Sequence, residues 1–165
     1  MKKILMVAFL LLTISGAQAQ GYSQALGLRA AWITPGLEYR YYTGDKHSLR
    51  ALLSFRGRGV QIHALTEFYQ YDLFPFSEQL VFFYGGGLHT GVETWNEPAD
   101  EDSFHRMQSK SSFLTGLDGL IGVEYVFYEA PVTIGVEMKP FFDIFGRNGF
   151  DVRVFDFALT VKYLF

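Results

Sequence analysis

Histidine and carboxylate side chains set the range of chemistry open to this chain. His63 and Glu67 stand four residues apart, and His89 lies on the next extended segment. Strand positions two or four apart point to one side of a sheet, so His63 and Glu67 share a face. Such a set could hold a metal, or form a general base with the acid that orients it. A metal centre needs three or four converging ligands, and the chain has no Cys to add. Hydrogen-bonded histidines are therefore expected, with no metal and no cofactor. Asp100, Glu101 and Asp102 form a run of acids near His105, Arg106 and Lys110. A calcium loop wants alternating ligand positions and a Gly at its turn; both are missing, and a solvated loop tip is expected. Gly85-Gly86-Gly87 lacks the following helix of a phosphate loop. It reads as close packing, a bulge, or room for long neighbouring side chains. No His-x-Ser motif occurs and the apolar side carries no His, while an activated nucleophile needs its base within hydrogen-bond reach, so catalysis is not expected.

Nearly every strand charge falls on one parity. Arg29, Glu38, Arg40, Arg50, Arg56, His63, Glu67, His89, Glu93, Asp118, Glu124, Glu137, Lys139, Asp156 and Lys162 fall on one side of their segments. Asp143 joins them if parity survives Pro140, where a bulge or a missing ladder bond is expected. The opposite side is apolar: Leu37, Tyr39 and Tyr41; Leu49, Leu53 and Phe55; Ile121, Val123 and Tyr125; Ile134, Val136 and Met138. The last segment shows the rule most plainly, with Phe155, Phe157, Leu159, Val161, Tyr163 and Phe165 alternating with Asp156, Ala158, Thr160 and Lys162. Period-two alternation means strands, and no sustained 3.6-residue pattern appears after residue 19.

A leader precedes these strands. Lys2 and Lys3, the apolar run Ile4 to Ile14 and the small residues Ala17 and Ala19 have the form of a secretory signal peptide, cleaved before Gln20. The expected organisation is 1–19 signal peptide and 20–165 a single domain. No Cys follows the cleavage site, so no lipid anchor is expected there, and no disulfides brace this exported chain. Without Lys2 and Lys3 the 14 basic residues fall to 12 against 17 acidic, which argues against nucleic acid. Aromatic residues make up 18% of the chain, as girdles at two membrane interfaces would require.

Eight strands are predicted: 24–32, 37–43, 49–57, 59–71, 80–95, 114–128, 132–145 and 152–165. A soluble sandwich also alternates, but the leader, the aromatics and the absence of Cys favour a barrel in lipid. Charges then line the interior, and the apolar side meets hydrocarbon. Loop lengths orient the barrel: the polar stretch 96–112 is read as an external loop and Glu129-Ala130-Pro131 as a periplasmic turn. Trp32, Phe55, Phe142 and Phe155 are expected to form an outer aromatic belt.

These features resemble the eight-stranded outer-membrane barrels of the OmpA/OmpX type. The segments Gly116–Tyr125 and Met138–Phe142 are similar to small outer-membrane proteins of Bacteroidota-type bacteria. The ending Ala158–Phe165, with aromatic Tyr163 and Phe165, resembles the signal read by the barrel assembly machinery. The resemblance implies an all-β, antiparallel up-and-down transmembrane barrel in the cell outer membrane, with no catalytic residues carried over. Expected partners are outer-membrane lipid, the assembly machinery during biogenesis and an external partner reached through 96–112; a monomer is expected. Eight strands leave room only for side chains or one small ligand, so the interior charges are expected to pair. A structural or surface-interaction role follows. A narrow channel and a lipid A-modifying enzyme are the alternatives.

Overall fold

The computed structural model of the protein describes residues 21–98, 107–146 and 149–165. The expected leader 1–19 and the acidic run 100–102 lie outside the described residues.

Ten strand segments form one antiparallel sheet: β1 (Gln24–Ala31), β2 (Gly36–Gly44), β3 (His47–Arg56), β4 (Gly59–Gln70), β5 (Leu80–Pro98), β6 (Met107–Val126), β7 (Val132–Met138), β8 (Phe141–Phe145), β9 (Asp151–Arg153) and β10 (Phe157–Leu164). They make eight staves, because β7 with β8, and β9 with β10, are each one stave interrupted. Every stave pairs with its neighbours in chain order, and β1 pairs with β10 from Ala25 opposite Leu164 to Ala31 opposite Ala158. Gln24 and Phe165 exchange backbone hydrogen bonds of 3.0 and 2.9 Å across that seam. The sheet is therefore closed, which removes the unpaired edges that an open sheet presents.

Alternation decides which side faces where. Leu28, Ile62, Leu88, Leu159 and Val161 are exposed, whereas Arg29, His63, His89, Thr160 and Lys162 are buried. Polar residues occupy the interior and large apolar residues the outside, the reverse of a soluble barrel. Trp32, Phe55, Phe142 and Phe155 are exposed, as the belt requires.

Pro140 has no N–H to give the ladder, and the strand breaks between β7 and β8. Register against β6 passes across the proline unshifted, with Met138 opposite Ile121 and Phe141 opposite Asp118, and shifts by one residue beyond Asp143, between Gly116 and Thr115. Parity thus survives, and Asp143 is buried with the other interior charges. The irregularity is transferred to the neighbouring stave. Met138 lies opposite Phe157 but Phe141 lies opposite Arg153, so one extra residue is accommodated between β9 and β10, beside the proline.

The predicted external loop 96–112 needs correction. β5 runs on to Pro98 and β6 begins at Met107, pairing Asn96 with Ser109 and Trp95 with Lys110. A two-stranded ribbon thus continues beyond the barrel, since β4 leaves β5 at Val92 and β8 leaves β6 at Thr115. The stretch Gln108 to Ser112 lacks apolar alternation, and Gln108 to Ser111 are all exposed. The connection 71–79, at the end that holds both termini, is longer than 32–35 and 57–58 at the other end. The expected tight hairpin at Arg56–Gly59 is present, with Gly57 at φ 57° supplying the left-handed turn residue.

Candidate functional site

The interior is the chemically dense part of the molecule. Thirteen of the fifteen candidate residues are buried there: Arg29, Glu38, Arg40, Arg50, His63, Glu67, His89, Asp118, Glu124, Glu137, Lys139, Asp156 and Lys162. Arg56 and Glu93 are half-buried toward the end opposite the termini.

From the terminal end to the β1–β2 turn, acids and bases alternate across the barrel. Arg40 contacts Glu67 at 2.8 Å and Glu124 at 3.0 Å. Arg50 reaches three carboxylates, Glu38 at 2.9 Å, Glu67 at 2.6 Å and Glu137 at 2.9 Å. Lys162 joins Glu124 at 3.0 Å and Glu38 at 3.3 Å. Arg29 bridges Glu137 at 2.6 Å and Asp156 at 3.1 Å, and donates to the Thr34 hydroxyl at 2.7 Å. Asp156 in turn accepts from the Ile33 N–H at 3.1 Å and bonds Thr34, tying the β1–β2 turn to the seam.

Phe83 stands in the middle of these charges, fully buried, with Arg40, Arg50 and Lys162 at 5.5–5.9 Å from its ring. Cations over an aromatic face are held by the ring quadrupole, more strongly where water is excluded. Phe83, Tyr69 and Phe141 escaped the sequence reading, which looked only for charge. Their parity marks them: Tyr69 follows Glu67 by two, and Phe141 follows Lys139 by two.

A second cluster lies toward the other end. His63 Nδ1 is 2.7 Å from Asp118 Oδ2, and its Nε2 is 2.8 Å from the Ser54 hydroxyl. His89 Nε2 is 2.8 Å from Asp143 Oδ1, Lys139 Nζ donates to Asp118 Oδ1 at 3.1 Å, and Arg56 donates to Asp143 at 2.6 Å. Glu67, grouped with His63 by spacing, belongs instead to Arg40 and Arg50; Asp118 takes its place. Ser54, His63 and Asp118 have the connectivity of a charge relay. The hydroxyl is within reach of the imidazole, but Ser54 is fully buried.

Glycines make room for this filling. A Cβ on Gly27 would come within 2.8 Å of Lys162, and one on Gly122 within 2.5 Å of Phe83. Gly85 and Gly87 serve close packing: a Cβ on either would meet a β4 carbonyl oxygen at 2.0 Å. No register shift accompanies them, so they are not a bulge.

A closed antiparallel barrel of eight staves, apolar outside and ion-paired inside, has the architecture of the outer-membrane type of β-barrel. The chain is similar in structure to the N-terminal β-barrel domain of Pseudomonas aeruginosa OprF, with a TM-score of 0.61 and 14% identity over 88% of this chain and 100% of that one. The likeness bears out the small OmpA-like barrel fold expected from the sequence. No protein-family profile matches the chain, and no curated protein matches it.

Proposed function

We propose that the protein is a monomeric outer-membrane barrel that conducts little or nothing and acts at the cell surface through the β5–β6 ribbon. The observation that carries this reading is the filled interior. Arg29, Arg40, Arg50, Lys139 and Lys162 are each no more than 2% exposed, and each has a carboxylate within 3.1 Å. Opening a water path means separating pairs that are costly to break one partner at a time. Lipid is the natural cover for the apolar outside, since a closed barrel is one of the two structures that satisfy every backbone group in hydrocarbon. The ribbon continues past the last residues that β4 and β8 pair, and loops on a rigid barrel are where recognition is usually placed.

Single-Cys labelling tests the placement, because the native chain has no Cys. Ser109→Cys on the ribbon is expected to react with a membrane-impermeant maleimide on intact cells. Ser77→Cys, in the connection at the terminal end, is expected to react only after permeabilisation. Protection of Ser109→Cys on intact cells defeats the reading. Planar-bilayer recording tests the plug: a steady conductance whose ion preference follows charge swaps at Arg40 or Glu124 makes the protein a channel instead.

A further inference from the structure

His63 on β4, His89 on β5 and Asp118 on β6 come from three successive staves, with His63 directly opposite His89 in register. One donor atom from each lies within 4.8 Å of the others. Asp118 Oδ2 is 2.7 Å from His63 Nδ1, and Asp118 Oδ1 is 3.2 Å from His89 Nδ1. Each imidazole is held by its remote nitrogen, His63 by Ser54 and His89 by the Asp143 carboxylate, both at 2.8 Å. A carboxylate or other polar group on the far nitrogen is the arrangement that orients metal-bound histidines. Gly116 leaves the space, since a Cβ there would lie 2.6 Å from the His89 ring.

One atom is left over. His89 Nδ1 is buried, and its 3.2 Å contact with Asp118 Oδ1 is not aligned as a hydrogen bond. When neutral His89 donates Nε2–H to Asp143, its Nδ1 lone pair faces an Asp118 oxygen; a second ring proton or a bound cation resolves the conflict, and the two compete for the same place.

We propose that His63, His89 and Asp118 form a binding site for a divalent transition ion of the zinc class. Imidazole nitrogen and carboxylate oxygen suit such ions, and tetrahedral bonds of roughly 2.0–2.2 Å put neighbouring ligand atoms about 3.3–3.6 Å apart; the 3.2 Å His89–Asp118 spacing is close to this, and the 2.7 Å His63–Asp118 contact lengthens on binding. Asp143, Arg56 and Asp151, with side chains 7%, 12% and 26% exposed, lead from the site toward the mouth opposite the termini. Lys139 is the competitor. Its ammonium sits 3.1 Å from Asp118 Oδ1, and an incoming ion displaces it toward the Phe141 ring, 4.8 Å away. The site is therefore weakened by its own lysine.

The test is titration of the purified, detergent-folded protein with Zn2+ by calorimetry and with Co2+ by visible absorption. One ion per chain is expected, with tetrahedral cobalt bands. Lys139→Met is expected to bind at least tenfold tighter, and His63→Gln or His89→Gln at least a hundredfold weaker. Removing the other two histidines, His47 and His105, is expected to change nothing. The native protein and Lys139→Met decide the matter even if a histidine variant fails to fold. Failure of both to take up zinc overturns the site, as does binding that survives in folded His89→Gln, which marks an adventitious surface ion only.

Discussion

Arg50 shows how much one side chain can carry in this interior. Its guanidinium touches Glu38, Glu67 and Glu137 and lies 5.8 Å from the Phe83 ring. Arg50→Met keeps the apolar stem but leaves three buried carboxylates short of a cation. The expected loss is about 3–5 kcal/mol, the cost of breaking a buried pair from one side. Urea unfolding in lipid vesicles measures it, and partial recovery in the double variant with Glu67→Gln is expected, since one orphaned charge is removed with its partner. The pair Lys110–Glu97 on the ribbon is a contrast: both side chains are about half exposed, so Lys110→Ala is expected to cost about 0–1 kcal/mol. Which residues lie inside could be read from parity alone. Which of them meet could not. Arg50 and Glu137 are 87 positions apart and face each other across the barrel; their meeting depends on strand depth and registers that no local pattern encodes. The same blindness paired His63 with Glu67, four residues away, instead of with Asp118 on another stave.

Strands were legible wherever one side met lipid and the other the interior. From Phe157 to Leu164 the alternation is unbroken because both environments act on every residue. It fades where a strand leaves that setting. Gln108, Ser109, Lys110 and Ser111 are all exposed and still strand, held by pairing to β5 and not by burial. Pro140 was visible as a disturbance, but its consequence fell one stave away, between β9 and β10, where the sequence gives no mark. The ribbon's independence makes a prediction. Replacing Thr94 to Ser111 by an Asn-Gly turn removes strand that β4 and β8 do not touch. The shortened barrel is expected to keep its heat-modifiable migration and its urea midpoint, because the ion network is intact. Loss of folding would mean that the ribbon nucleates the barrel. Leu159→Arg is the counterpart on the lipid side: Leu159 is 60% exposed in mid-strand, and a charge there is expected to cost about 2–4 kcal/mol near the bilayer centre. The same change in a protein whose apolar outside met water would cost little.

At the scale of the whole molecule, closure is the event on which everything depends, and it is completed by the last residues. β10 pairs with β1 along its length, and Phe165 exchanges two backbone hydrogen bonds with Gln24. The Phe165 ring contributes less to the closed state: it is 42% exposed and stacks on Tyr163 at a centroid distance of 6.3 Å. We propose that this aromatic pair at the closing seam, Phe165 exposed and Tyr163 half-buried, is read by assembly machinery before closure. The two roles separate experimentally. Phe165→Ser retains every backbone bond, so refolding of the purified chain into detergent is expected to reach nearly the native yield. In cells the same variant is expected to show a severalfold fall in heat-modifiable barrel, with the unfolded chain accumulating before it reaches the membrane. Equal losses in detergent and in cells would assign the ring to barrel stability, and undiminished assembly in cells would remove its role as a signal.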